Sequence, residues 1–166
     1  MRLLNPIRPM VIALPIAFSL LAACHGGNGD TVSVDKAWVR LAAVPGRPAA
    51  GYVTIHGGKD ATRLIAIDSA QAGSSELHQS VKSGGTAMKG MAGMGGDVMA
   101  MRRVDGLDVP AGATVDFSGA GYHAMLFGVG AQVKPGATMP LTIRFARGDP
   151  IAVDAKVIGA GDSPPY

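Results

Sequence analysis

Short runs in which every second residue is apolar fill the chain between residues 31 and 158. Alternation of this kind puts one face of an extended strand against a core and the other face in solvent, whereas a helix needs apolar residues three or four apart. Turn-forming pairs such as Pro45-Gly46 and Pro135-Gly136 separate the runs. The pattern predicts strands near 31–40, 51–56, 62–68, 75–81, 97–104, 113–118, 122–129, 139–146 and 150–158. An all-β domain follows, either a two-sheet sandwich or a barrel.

Charge and composition exclude two classes of protein. A hydrophobic content of 48% is too high for a disordered chain, although there are 24 glycines and 11 prolines. The net charge is +3, and two of the 15 basic residues, Arg2 and Arg8, lie in an N-terminal segment that we expect to be removed. No basic run is longer than Arg102-Arg103. Without a basic patch, a nucleic-acid partner is not expected.

The N-terminus has the features of an export signal. A basic start precedes an uncharged apolar stretch from Pro9 to Ala23, which is shorter than the roughly 20 residues that a membrane-spanning helix needs. The ending Leu21-Ala22-Ala23-Cys24 resembles a bacterial lipobox. That resemblance implies a signal peptide over 1–23, lipidation of Cys24 and a periplasmic protein tethered to a membrane. An ordinary signal with an incidental cysteine is the alternative.

The mature chain then divides simply. Residues 24–30 are expected to form a lipidated flexible leash, because they are polar and rich in glycine. Residues 31–158 form the folded domain, and residues 159–166 are expected to be a short disordered tail. Position 25 is histidine and not aspartate, which by the same resemblance favours the outer over the inner membrane.

In the folded domain the candidate metal ligands are methionine and histidine, because the single cysteine, Cys24, is expected to carry the lipid. A single cysteine excludes an internal disulfide and a Cys-x-x-Cys pair. Met88, Met91 and Met94 lie in a glycine-rich loop, 83–96, where no core is available to bury them. Thioethers and imidazoles together favour Cu(I), whereas zinc prefers thiolate, imidazole or carboxylate. Without a thiolate, copper carriage is favoured over electron transfer, and binding of Cu(II) is left open.

His123 and Met125 form a His-x-Met pair in a predicted strand. Residues two apart on a strand share a face, so the pair could act as a short metal clamp. Alone this signal is weak, because such a pair is more often an ordinary surface feature.

The pattern becomes specific when His78 and Met101 are added. Met101 precedes His123 with 21 residues between them, inside a run from Met101-Arg102 through Val109-Pro110 to Gly121-Tyr122-His123. This spacing, with upstream matches such as Ala37-Trp38-Val39-Arg40 and Glu76-Leu77-His78, resembles the PCuAC family of periplasmic copper chaperones. The resemblance covers roughly residues 31 to 158. It implies a cupredoxin-like Greek-key β-sandwich that binds copper through His78, Met101, His123 and Met125.

The chain departs from the family between the first two ligands. Twenty-two residues separate His78 from Met101, where the family has ten, and the extra residues form the loop 83–96. A hairpin connection can lengthen at small entropic cost without moving its strands. We expect the loop sulfurs to replace or supplement a ligand or to bind a second, weaker copper; the auxiliary candidates are Met88, Met91, Met94 and Met99.

The family resemblance also implies a function. It predicts an envelope chaperone that supplies Cu(I) to copper centres of cytochrome oxidase, with a copper-centre subunit or an assembly factor as acceptor. We expect a monomer and not an enzyme, since no HExxH, GxSxG or phosphate-binding GxxxxGK motif occurs. The alternative is a periplasmic copper buffer or detoxification protein that uses the Met-rich loop.

Overall fold

The computed structural model of the chain describes residues 29–83 and 98–166. Its strands are β1 (Ser33–Arg40), β2 (Ala49–His56), β3 (Thr62–Asp68), β4 (Ser74–Ser83), β5 (Val98–Val104), β6 (Leu107–Val109), β7 (Thr114–Asp116), β8 (Tyr122–Phe127), β9 (Thr138–Phe145) and β10 (Ile151–Ile158). Within these two stretches there is no helix, which confirms the all-β class. The same stretches accordingly hold no helix suited to spanning a membrane.

The observed strands follow the predicted ones closely, with one addition. β6 (Leu107–Val109) pairs with the start of β3, and the sequence pattern did not predict it. Three residues are too few to show a period of two. The strand predicted near 113–118 is shorter in the structure and pairs with β2 as β7.

The strands join in one continuous hydrogen-bonded path. Its order is β5-β4-β8-β2-β1-β10-β9-β3-β6, with β7 paired to β2. β1 and β10 run parallel, and the other described pairs are antiparallel. The path folds over on itself, so that the two halves pack face to face as a β-sandwich, in agreement with the predicted architecture.

The core is one cluster of aliphatic side chains drawn from both halves of the path. From the first half the fully buried residues include Val39, Ile55 and Leu126, and from the second half Leu64, Leu141 and Ile143. On β8, Ala124 and Leu126 are both 0% exposed. Since successive strand residues point to opposite faces, His123 and Met125, which alternate with these two residues, face away from this core.

A bulge in β1 keeps its apolar residues on the core side. The pairing with β2 shifts by one residue between Asp35 and Trp38, and Lys36 within it has a φ of 46°. Val39 is five positions after Val34, an odd spacing that would place the two side chains on opposite faces of a regular strand. The extra residue of the bulge restores the alternation, so Trp38 and Arg40 lie on the outer face.

Several of the predicted segments lie outside the described residues. The signal peptide, Cys24 and nearly all of the leash fall within residues 1–28, and nearly all of the Met-rich loop falls within residues 84–97. The tail 159–166 is described: Arg40 donates hydrogen bonds to the backbone oxygens of Ala160 at 2.9 Å and Asp162 at 2.7 Å. These bonds attach the start of the tail to β1.

Candidate metal centre

His78 and His123 lie side by side on neighbouring strands. β4 and β8 pair antiparallel with these two residues directly opposite each other, so both side chains point to the same, outer face of the sheet. Their ring centroids are 5.9 Å apart. The side chain of His78 is 16% exposed, and His123 is 2% exposed. Strand pairing therefore creates a shielded pair of imidazoles.

The two predicted methionine ligands flank this pair on the same face. Met125 follows His123 by two residues and lies opposite Glu76. Met101 lies on β5 opposite Ser80, which puts it one diagonal step from His78. Met101 is 65% exposed, and β5 is the first strand of the sheet path. The face thus has a shielded centre at the histidines and an open edge at Met101.

The predicted auxiliary sulfurs are only partly within reach of the structure. Met88, Met91 and Met94 lie outside the described residues, so their role stays a prediction from sequence. Met99 belongs to β5, where its backbone pairs with that of Lys82, but its side chain is outside the described set. The described strands on either side remain in register up to the last pair, Ser83 opposite Val98.

That register bears on the unusual spacing between His78 and Met101. Residues 84–97 connect β4 to β5, and a connection about twelve residues shorter would leave a two-residue hairpin, the commonest kind. The additional residues can therefore be accommodated beyond the paired part of the strands. The longer connection therefore leaves Met101 paired with Ser80, one diagonal step from His78.

In each imidazole one ring nitrogen is hydrogen-bonded and the other is not. Nε2 of His78 donates to Oε2 of Glu76 at 2.9 Å, and Nδ1 of His123 donates to the carbonyl oxygen of Gly121 at 3.3 Å. Ionised carboxylate and carbonyl oxygens can only accept, so the ring protons lie on these nitrogens. Nδ1 of His78 and Nε2 of His123 are buried and have no hydrogen-bond partner in the described part of the chain. Buried polar atoms are seldom left in this state, and each of these two has a lone pair available to a metal ion.

The protonation states suit metal binding. Burial lowers the pKa of His123 below its ordinary value, and the charge of His78 lowers it further, while the hydrogen bond to Gly121 opposes the shift. The hydrogen bond from His78 lowers the pKa of Glu76, against the effect of burial and with help from the charge of Arg103. At neutral pH His123 is therefore neutral and Glu76 is ionised. A metal ion needs the neutral imidazole, because the lone pair is lost on protonation.

Glu76 is a residue of the site to which the sequence analysis gave no role. It accepts a hydrogen bond from His78 and a second one from Nη1 of Arg103 to Oε1 at 3.2 Å. Arg103 lies directly opposite His78 on β5. The signal was present in the sequence, since Glu76 and His78 are two residues apart in a predicted strand and so share a face.

Aromatic rings close the other side of the histidine pair. The ring centroid of Tyr52 is 6.5 Å from that of His123, and Trp38 stacks on Tyr52 with centroids 4.1 Å apart. Beyond them a groove of about 520 Å³ runs along the same face. The rings limit the access of water to His123 from this direction.

The donor set on this face is suited to a soft metal ion. The described residues contain no group of three or more His, Cys, Asp and Glu side chains arranged to hold a metal. The further neutral donors on the face of His78 and His123 are the thioethers of Met101 and Met125. Two imidazoles and two thioethers are all neutral donors, a combination that favours Cu(I) over zinc.

His56 is separate from this site. Its Nε2 lies 3.3 Å from Oδ1 of Asp35, and its Nδ1 lies 3.3 Å from Oγ1 of Thr114. Both ring nitrogens are engaged by neighbours, so nothing here adds His56 to the metal ligands.

Two comparisons of the sequence identify relatives. A family model described as "Putative lipoprotein LpqE-like" matches residues 32–157. The protein described as "Putative lipoprotein Lxx21020" of Leifsonia xyli subsp. xyli is 32% identical over 138 residues, which span 81% of this chain and 75% of that protein. The region that the family model matches coincides with the folded domain.

The fold is similar to solved structures of PCuAC domains. The copper-bound PCuAC domain from PmoF2 matches with a TM-score of 0.59 and 19% identity, over 78% of this chain and 93% of that domain. The solution structure of CuI-DR1885 from Deinococcus radiodurans matches with a TM-score of 0.55 and 25% identity, over 82% of this chain and 83% of that one. These matches support the β-sandwich assignment and the resemblance found in the sequence.

Proposed function

The chain belongs to the LpqE-like family, and we propose that it is a copper chaperone of the bacterial envelope that binds Cu(I) at His78, Met101, His123 and Met125. The observation that carries this proposal is the pair of buried, unpartnered ring nitrogens in the described structure, Nδ1 of His78 and Nε2 of His123. They lie on one face with both methionines. The copper in the similar structures of PmoF2 and DR1885 supports the choice of metal.

The position of the site suits transfer and not permanent storage. Neutral ligands hold Cu(I) without the added attraction of a thiolate charge. Met101 lies at the exposed edge, so a thioether or imidazole of an acceptor can displace it first, before the shielded histidines are reached. The function proposed is therefore carriage and not catalysis.

A copper titration tests the site directly. The chain from residue 25, which lacks the Cys24 thiol, would be titrated with Cu(I) against a chromophoric chelator, beside a variant with His78, Met101, His123 and Met125 replaced. We expect one tight equivalent that the variant lacks. A His56→Ala variant, with an exposed histidine outside the site, is the control and should bind like the wild type. Tight binding retained in the four-residue variant would contradict the assignment.

For the acceptor we propose the copper-centre subunit of a cytochrome oxidase or one of its assembly factors, as the family resemblance implies. The supporting observation is the exposed Met101, which leaves the site open to a partner on one side. A strain lacking the protein should lose oxidase activity at low copper and regain it when copper is added. Unchanged oxidase activity at low copper would rule out this acceptor.

Copper buffering is the second candidate, and it rests on the methionines of the loop 83–96. A buffer should bind several copper ions, and a strain without it should become sensitive to copper excess. Replacing Met88, Met91 and Met94 by leucine separates the two functions. If buffering is the role, this variant binds fewer equivalents, whereas the chaperone role predicts an unchanged tight equivalent.

We propose that Cys24 carries a lipid that anchors the protein, in the outer rather than the inner membrane. The lipobox-like ending at Cys24 and membership in the LpqE-like family support this proposal. Metabolic labelling with a fatty-acid analogue should mark the wild type and not Cys24→Ser. Recovery of an unlabelled wild-type protein in the soluble periplasmic fraction would contradict it.

A further inference from the structure

Glu76 is the only glutamate of the chain, and its two carboxylate oxygens have different partners. Oε2 accepts the hydrogen bond from Nε2 of His78 at 2.9 Å, and Oε1 accepts one from Nη1 of Arg103 at 3.2 Å. Arg103 comes from β5 and is mostly exposed, whereas the His78 side chain is 16% exposed. The carboxylate thus connects the open edge of the sheet to the shielded imidazole.

This contact determines which nitrogen of His78 has a free lone pair. A neutral imidazole exists as two tautomers, and only the nitrogen without the proton can bind a metal. A carboxylate can accept but not donate, so its contact with Nε2 holds the proton there. Nδ1 is then left as the acceptor atom, and it is buried and unpartnered in the described structure.

His123 has a different hydrogen-bond partner, and its other ring nitrogen carries the proton. Its Nδ1 donates to the backbone oxygen of Gly121, so its free nitrogen is Nε2. This acceptor is a backbone carbonyl, which a side-chain substitution at that position does not remove. The tautomer of His78, by contrast, depends on one replaceable side chain.

We propose that Glu76 is the positioning residue of this site: it fixes the Nε2–H tautomer of His78 and so presents Nδ1 to Cu(I). This inference rests on the proposed copper-binding function. Partners in the second layer of a metal site commonly act in this way, by fixing the tautomer and orientation of a ligating histidine.

Glu76→Gln is the sharpest variant, because glutamine has nearly the same size but only one oxygen. Arg103 and His78 both donate to residue 76, so they would compete for that oxygen. If Arg103 takes it, the amide NH₂ faces His78 and favours the Nδ1–H tautomer, which hides the metal-binding nitrogen. Adding Arg103→Ala should release the oxygen to His78 and restore the original tautomer.

The tautomers can be read in the metal-free mature protein by long-range ¹H–¹⁵N NMR of the histidine rings at neutral pH. We expect Nε2–H at His78 and Nδ1–H at His123 in the wild type. Glu76→Gln should change the His78 pattern alone, and the double variant with Arg103→Ala should recover it. Arg103→Ala by itself should leave the His78 tautomer unchanged.

Cu(I) affinity provides the second readout. Loss of such a partner lowers metal affinity by roughly 10- to 100-fold, and we expect this for Glu76→Gln with substantial recovery in the double variant. Asp68→Asn is a matched control, because its carboxylate also accepts two side-chain hydrogen bonds, from Ser75 and Arg144, away from the histidines. It should bind copper like the wild type.

The two readouts separate this proposal from the function on which it rests. An unchanged His78 tautomer in Glu76→Gln, with Cu(I) affinity within about twofold of the wild type against the decrease expected above, would overturn the role of Glu76. If the wild type binds no Cu(I), the proposed function fails, and the NMR comparison still decides whether Glu76 sets the tautomer.

Discussion

β8 has two faces that differ in almost every physical property. On the inner face Ala124 and Leu126 are fully buried among aliphatic side chains, and their contribution is the removal of apolar surface from water. On the outer face His123 and Met125 lie beside polar groups, and Nε2 of His123 is buried without a hydrogen-bond partner in the described structure. The inner face stabilises the fold. On the outer face the buried, unpartnered nitrogen lowers the free energy of unfolding, and a bound metal would offset that loss.

The same division runs through β4. Leu77 is 6% exposed and belongs to the core cluster, whereas Glu76 and His78 face outward and hydrogen-bond to each other. Substitutions on the two faces should therefore have separable effects, on stability for the inner face and on metal binding for the outer one.

Leu126→Ala should have the largest effect and should act on stability. Removing a fully buried leucine side chain leaves a cavity, which costs about 2–5 kcal/mol of the free energy of unfolding. Urea unfolding of the metal-free protein measures this. The fraction that remains folded should bind Cu(I) with unchanged affinity, and a loss of affinity in that fraction would show that the two faces are coupled.

His123→Ala should mainly remove metal binding. The variant loses a ligand, so its Cu(I) affinity should fall by more than the roughly 10- to 100-fold typical of outer partners. Its free energy of unfolding should change less than that of Leu126→Ala, since an unpartnered buried nitrogen is removed as well. Chelator competition and urea unfolding give the two numbers, and a core-like destabilisation with intact binding would reverse the assignment.

Met125→Leu and Met101→Leu should have smaller and graded effects. Replacing methionine by leucine nearly conserves side-chain volume and costs less than about 1.5 kcal/mol of the free energy of unfolding. The change in Cu(I) affinity therefore measures the contribution of the thioether sulfur. We expect about a tenfold loss for Met125, which adjoins the shielded pair, equivalent to about 1.4 kcal/mol. X-ray absorption of the copper-loaded variants should show one sulfur neighbour fewer, and an unchanged sulfur count would exclude that methionine as a ligand.

The pH dependence of stability should show the smallest effect. Because burial lowers the pKa of His123, the unfolded chain takes up a proton at about pH 6.5, before the folded protein does. The free energy of unfolding of the metal-free protein should thus fall as the pH drops from this ordinary value to the lowered pKa. His123→Gln should flatten that slope, and equal slopes in the wild type and the variant would contradict the lowered pKa of His123.

Much of the fold could be predicted because a strand pattern is local. The alternation around Val53 and Ile55, or Leu141 and Ile143, is visible within a few residues, and these side chains are in the core. β6 (Leu107–Val109) was missed because three residues carry no periodicity. The attachment of the tail 159–166 to Arg40 has no signal in the composition of the tail.

The candidate site could be predicted only in part, because only some of its residues are related by local spacing. The shared face of His123 and Met125 follows from their spacing alone, and the resemblance to a known family added His78 and Met101. No local sequence pattern predicts that β4 lies between β5 and β8. This strand order brings His78 opposite His123 and Arg103. Glu76 could be placed on the right face from sequence, but its partners could not.

Sequence alone determines which residues of each strand face the core and which face outward, because that choice depends on a period of two and on the burial of apolar side chains. Tertiary structure alone decides which outward-facing residues meet. Strand neighbours such as β4 and β8 are distant in the chain, and their register is set by the packing of the whole core. The imidazole pair and the contact between Glu76 and Arg103 exist only as consequences of that packing.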